Sequence, residues 1–131
     1  MTVWTGRFSG GSLAARAARR AVREALGGEL PERRLEDVEL LVSELATNSV
    51  RHAGRDEDAE ISMMARVDDK RIRLRVCDTG DGFEEARAPE PHPGRAGGYG
   101  LVLVDRLADR WGVQHNGGFC VWFEVERPQR A

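Results

Sequence analysis

Apolar residues recur along this chain with two different periods, and the changes of period divide it into elements. From Leu13 onward, Leu13, Ala14, Ala17, Ala18, Ala21, Val22, Ala25 and Leu26 fall at helical spacing, with Arg16, Arg19, Arg20 and Arg23 on the opposite side. This predicts an amphipathic helix, with Ser12 ahead of it as a candidate N-cap and Gly27-Gly28 ending it. Pro31 opens a longer helical pattern through Leu35, Val38, Leu41, Val42, Leu45, Ala46, Ser49, Val50 and Ala53, and Gly54 stands where a C-terminal cap belongs. Residues 101–110 return to helical spacing.

The other period is two. Ile72, Leu74 and Val76 alternate with Arg71, Arg73 and Arg75, which predicts a strand with one apolar and one solvated face. Residues 59–67 read as a preceding strand and Asp68-Asp69-Lys70 as the turn of a hairpin. Residues 3–8 and 119–125 add a short first strand and a final one. Between residues 78 and 100 glycine and proline dominate, predicting a long loop of the kind that usually carries function. The order β, α, α, β, β, loop, α, β predicts an α+β fold, a two-layer sandwich with helices on one face of a mixed, mainly antiparallel sheet.

Composition sets the class. A chain of 131 residues, 40% hydrophobic and 32% charged, suits one ordered domain spanning residues 1–131. The net charge is -2 with acids and bases interspersed, so no global field draws the chain to nucleic acid or anionic lipid. No apolar run approaches the ~18 residues of a membrane span, and no basic segment followed by an apolar one opens the sequence, which predicts a cytoplasmic protein without membrane association. Cys77 and Cys120, 43 positions apart in apolar alternating runs, read as small buried hydrophobes rather than a disulfide framework or a zinc site.

Three short motifs carry candidate chemistry. Glu44 and Asn48 stand one turn apart on the second predicted helix, so a carboxylate and an amide share a face, a pair suited to holding Mg²⁺ beside a nucleophile. Taken alone, such a pair reads equally as a solvated helix surface. Asp78-Thr79-Gly80-Asp81-Gly82 follows directly on an apolar strand; its glycines would let backbone approach a flat ligand, and its first acid can accept a hydrogen bond from an exocyclic amine. An ordinary tight turn remains the rival there, whereas an EF-hand loop fails because Gly80 and Pro89 occupy ligand positions. Gly97-Gly98-Tyr99-Gly100 stands immediately before the third helical pattern, where free N–H groups and the helix dipole favour an anion, or where a linker would lie. A Walker-type cradle is absent from the sequence, as is a strand-G-x-G-x-x-G-helix unit.

In combination, Glu44 to Asn48 on a helix, Asp78-x-Gly-x-Gly after a strand and Gly98-x-Gly before a helix resemble the N, G1 and G2 boxes of the GHKL superfamily of ATP-binding domains. The runs Val42-Ser43-Glu44-Leu45-Ala46-Thr47-Asn48-Ser49 and Leu107-Ala108-Asp109-Arg110-Trp111-Gly112-Val113, with Val121-Trp122-Phe123-Glu124, look like the stand-alone anti-sigma-factor serine kinases, and the resemblance covers nearly the whole chain. It implies that the cofactors are ATP and Mg²⁺, that Asn48 binds Mg²⁺, that Glu44 is the general base and that Asp78 pairs with the adenine amine. It further implies that Gly80 and Gly82 line the adenine pocket, and that Gly98, Gly100 and Leu101 hold phosphates under a lid at about residues 84–97. Such proteins usually carry a threonine or serine in the last strand where this chain has Gly118-Phe119-Cys120.

The implied function is a serine/threonine kinase acting on an anti-sigma-factor antagonist and sequestering a sigma factor. The alternative is an ATP-binding interaction module that holds its partner without phosphoryl transfer. A histidine-kinase catalytic domain is disfavoured because no dimerisation helices precede the first helix in this sequence. Whether the chain forms a homodimer is left open. His52, one turn past Asn48, reads as satisfying helix-end carbonyls, and Trp111, Trp122 and Phe123 read as core or a subunit contact.

Overall fold

The computed structural model describes residues 2–9, 13–52, 60–78, 98–115 and 119–128, with the side chains of residues 9, 48–52, 98–101, 115 and 119 outside the description. Its elements are β1 (Thr2–Ser9), α1 (Ala14–Leu26), α2 (Glu32–His52), β2 (Glu60–Val67), β3 (Arg71–Asp78), α3 (Gly98–Leu107), β4 (Arg110–His115) and β5 (Phe119–Glu126).

The predicted hairpin forms, and a specific turn fixes it. Asp68 Oδ1 accepts hydrogen bonds from the amides of Lys70 (2.8 Å) and Arg71 (2.9 Å), and these two bonds hold the Asp68 carboxyl below its usual range. Its register pairs Ile61 with Asp78 and Val67 with Ile72. The sheet runs β1-β2-β3-β5-β4, and each of the pairings is antiparallel. The sequence reading allowed a mixed sheet; the described strands show no parallel pair.

β4 is absent from the sequence reading, which carried the third helix on to Arg110. In the structure α3 stops at Leu107, and Asp109 N–H donates to Glu124 O (2.9 Å), starting an edge strand along β5. α3 also starts earlier than expected, so Gly98 and Gly100 lie in its first turn rather than in a loop ahead of it.

Burial alternates along β2 and β3, and one face is closed by the helices. Ile61, Met63, Ala65, Ile72, Leu74, Val121, Phe123 and Val125 meet Val22, Leu26, Leu35, Val38, Leu41, Val42 and Leu45 in a single core. α1 packs on α2 and β1, and α2 on β3 and α3. Leu13 occupies the N-cap position of α1 without a side-chain cap, and Ser12, Gly54 and Gly118 lie outside the described residues. Phe123 is fully buried, Trp111 packs partly buried against the core, and Trp122 stands on the face opposite the described helices, under the Arg73 guanidinium. Among the described residues no helix is long and apolar enough to cross a membrane.

The cysteine reading is overturned. Cys77 of β3 and Cys120 of β5 face each other in the antiparallel ladder and are joined as a disulfide. Directly opposed residues of neighbouring strands bring their β-carbons within bonding reach of two sulfurs.

Candidate nucleotide site

α2 buries Leu41, Val42, Leu45 and Ala46, each 2% exposed or less, and thereby sets the orientation of the neighbouring polar residues. Glu44 lies half-buried at the margin of that stripe. Asn48 follows one turn later on α2; its side chain is outside the described residues, as is that of His52. Ser43 Oγ donates to Leu40 O (3.0 Å) and Thr47 Oγ1 to Ser43 O (2.8 Å), so the hydroxyls beside Glu44 bond within the helix.

Asp78 is the last residue of β3. The period of two turns it toward the helix-covered face, and it is 4% exposed. A carboxylate is kept at this depth only where polar partners compensate its burial, since each unmet hydrogen bond would cost roughly 1–3 kcal/mol. Gly80, Gly82 and the expected lid at 84–97 lie outside the described residues.

α3 supplies the third part. The first N–H groups of an α-helix lack intrahelical partners, and here those include Gly98, Tyr99 and Gly100. The far end of α3 is clamped. Arg34, in the first turn of α2, donates through Nη1 to Leu107 O (2.7 Å) and through Nη2 to Asp109 Oδ2 (3.1 Å). Asp109 Oδ2 also accepts the amide of Glu126 (2.7 Å), tying the same corner to β5. With α3 packed on α2, the ten residues of α3 reach back about 15 Å, the rise of about ten residues of α2.

Arg34 escaped the sequence reading. Its signal was weak: an arginine in a run of charged residues, with its partners Leu107 and Asp109 more than seventy positions away. At the junction of α1 and α2, Arg23 bonds Glu32 (2.8 Å) and Glu39; these contacts raise the Arg23 pKa and lower that of Glu32. The concavity lined by Leu30, Lys70 and Arg127 lies at the opposite end of β3 from Asp78, and Arg127 closes it with Glu29 (2.8 Å).

Comparison with known proteins agrees with this architecture. The profile of a family described as histidine kinase-like ATPase domain matches residues 12–125. The serine-protein kinase RsbW of Listeria innocua serovar 6a is 35% identical over 98 residues, covering 66% of this chain and 62% of that protein. The serine-protein kinase RsbW of Bacillus subtilis strain 168 is 34% identical, covering 66% and 61%. The chain thus spans somewhat less than two-thirds of the length of these curated relatives. Among solved structures, the RsbU and RsbW domains of Rv1364c from Mycobacterium tuberculosis superpose with a TM-score of 0.72 at 20% identity, covering 99% of this chain and 34% of that one. A blue-light activated histidine kinase from Erythrobacter litoralis gives 0.59 at 22% identity, covering 90% and 42%. These two likenesses show the α+β fold.

Proposed function

The chain belongs to the family of histidine kinase-like ATPase domains, and from that premise we propose that it is a cytoplasmic kinase that binds Mg·ATP and phosphorylates a serine or threonine of a small partner protein. The partner is an anti-sigma-factor antagonist, and the nucleotide-bound protein also sequesters a sigma factor. Similarity to two proteins named serine-protein kinase supports the acceptor type. The observation that carries the nucleotide reading is Asp78, a carboxylate 4% exposed at the end of β3 on the helix-covered face.

Each residue has one task. Asp78 accepts a hydrogen bond from the adenine amine, where water competes little. Gly80 and Gly82 let backbone approach the base, and residues 84–97 form the lid of a single domain spanning 1–131. The N–H groups of Gly98, Gly100 and Leu101 hold phosphate oxygens, aided by the positive end of α3. The donor set fits magnesium, which takes hard oxygens, commonly with only one or two from protein; the Asn48 amide oxygen would hold it, and when bound it would neutralise charge on the phosphates. Glu44, half-buried one turn before Asn48, accepts the proton of the attacking hydroxyl.

The test is transfer of labelled γ-phosphate to a purified antagonist protein, with phosphoserine or phosphothreonine read by mass spectrometry. Glu44→Ala is expected to retain ATP binding and to cut transfer by ~10²-fold or more. Undiminished transfer by that variant would remove Glu44 from its role, and no transfer by the wild type despite nucleotide and partner binding would leave an ATP-dependent binding module.

A further inference from the structure

The Cys77–Cys120 disulfide stands at a particular place in the chain. The β3–β5 register runs from Arg71 opposite Glu126 to Cys77 opposite Cys120, so the cysteines form its last pair. The next residue along β3 is Asp78. The bond closes a covalent loop across 43 positions, containing Asp78 together with α3 and β4. The cysteines themselves are on the face of the sheet opposite the described helices, with Cys77 half-buried and Cys120 6% exposed. A sulfur on that face can be reached from solvent without opening the core, and Arg75 on the same face of β3 attracts small anionic reagents.

We propose that Cys77 and Cys120 form a thiol–disulfide exchange site whose oxidation state sets nucleotide affinity through Asp78, an inference that rests on the nucleotide reading of the site. The co-reactant is a low-molecular-weight disulfide. In the oxidising direction the Cys77 thiolate attacks one sulfur of that reagent, forming a mixed disulfide and releasing one thiolate. The Cys120 thiolate then attacks Cys77 Sγ, closing the protein disulfide and releasing the second thiolate. The protein loses two protons and two electrons, and the reagent becomes two thiols. A small dithiol reverses both steps.

The coupling follows from the position of the bond. The last pair of an antiparallel ladder opens more readily than its interior, and beyond the disulfide this one is held only by Ser62 of β2 beside Cys77 and Gln114 of β4 beside Cys120. The disulfide prevents that opening and keeps the end of β3 against β5. When it is reduced, the terminal pair and the adjoining Asp78 sample more conformations, and a ligand that needs the carboxylate in one position must restrict them again. Linkage makes the effect reciprocal: bound nucleotide favours the oxidised pair by the factor by which oxidation favours nucleotide. A staple without coupling would shift the melting temperature and leave affinity unchanged.

The experiment uses the full chain, oxidised with glutathione disulfide or reduced with a phosphine, with the sulfur state of each sample read by alkylation and intact mass. Binding of Mg·ATP is then measured for both. The oxidised form is expected to bind about 5-fold or more tightly, and saturating ATP is expected to shift the glutathione ratio at half-reduction by the same factor. The double variant Cys77→Ser, Cys120→Ser should match the reduced protein and ignore the reagents; circular dichroism checks its fold. Equal affinity of verified oxidised and reduced protein would overturn the coupling, and failure of the pair to oxidise would overturn the exchange site. Absence of nucleotide binding in both states, with the sulfur exchange intact, would instead identify the nucleotide reading as the part that fails, and the coupling with it.

Discussion

A β-carbon at Gly112 would lie 2.7 Å from Nε1 of Trp122 and 2.8 Å from two further ring carbons. Gly112 of β4 faces Trp122 of β5 across the ladder, and the indole lies over that gap with the Arg73 guanidinium 4.1 Å from its centroid. Glycine here is a packing requirement. Gly112→Val should force the indole off the sheet and cost roughly 1–3 kcal/mol, read as a lower urea midpoint with unchanged slope. At Asp68 the argument is electrostatic. Its amide partners depress the folded pKa, so the stabilisation is complete above the unfolded value near ~4 and disappears as pH falls through the lower folded value. Asp68→Ala should therefore be less stable than wild type at pH 7, with the gap closing as acid is added. A gap that stays constant down to acid unfolding would contradict the assignment.

Among the elements, α3 depends most on remote contacts. Arg34 neutralises the C-terminal carbonyl of Leu107 and pairs with Asp109, binding the helix to α2 and to the start of β4. Arg34→Ala should cost about 1–3 kcal/mol and speed amide exchange in α3 before that in α2. The difference between α3 and the earlier elements also explains what the sequence made legible. α1 and α2 carry wide apolar stripes, and β2 and β3 alternate strictly, so periodicity found all of them with boundaries close to those observed. β4 has only Trp111 and Val113 directed to the core, too few for an alternation to register beside the helical run that precedes it. The start of α3 was obscured by Gly98 and Gly100, residues of low helix propensity that tertiary contacts at Val104 override. The disulfide required knowing that β5 inserts between β3 and β4, a non-local fact that no spacing between Cys77 and Cys120 contains. Within the proposed site, the sequence offers Glu44, Asn48 and Asp78 as residue types at given spacings, whereas the burial of Asp78 and the clamp on α3 are visible only in the fold.

For the whole molecule, topology assigns different work to the two ends of the sheet. At one end Arg127 bonds Glu29 and Asp68 O (2.7 Å), and the tight turn at Asp68 closes the β2–β3 hairpin. That end is held by many short contacts. At the other, β3 finishes at Asp78 opposite Ile61, near the start of β2, to which the end of α2 leads. The proposed nucleotide groups come from α2, the end of β3 and the start of α3, and their meeting at that end of the sheet is the central claim. Calorimetric titration of the purified chain with ATP, with and without Mg²⁺ and with Asp78→Asn alongside, tests it most directly. The account predicts Mg²⁺-dependent binding at one site that weakens by at least about tenfold in the Asp78→Asn variant, its fold checked by circular dichroism, because the amide cannot accept the same charge-assisted hydrogen bond. Equal binding by wild type and variant, or no binding and no competition by ADP, would contradict it.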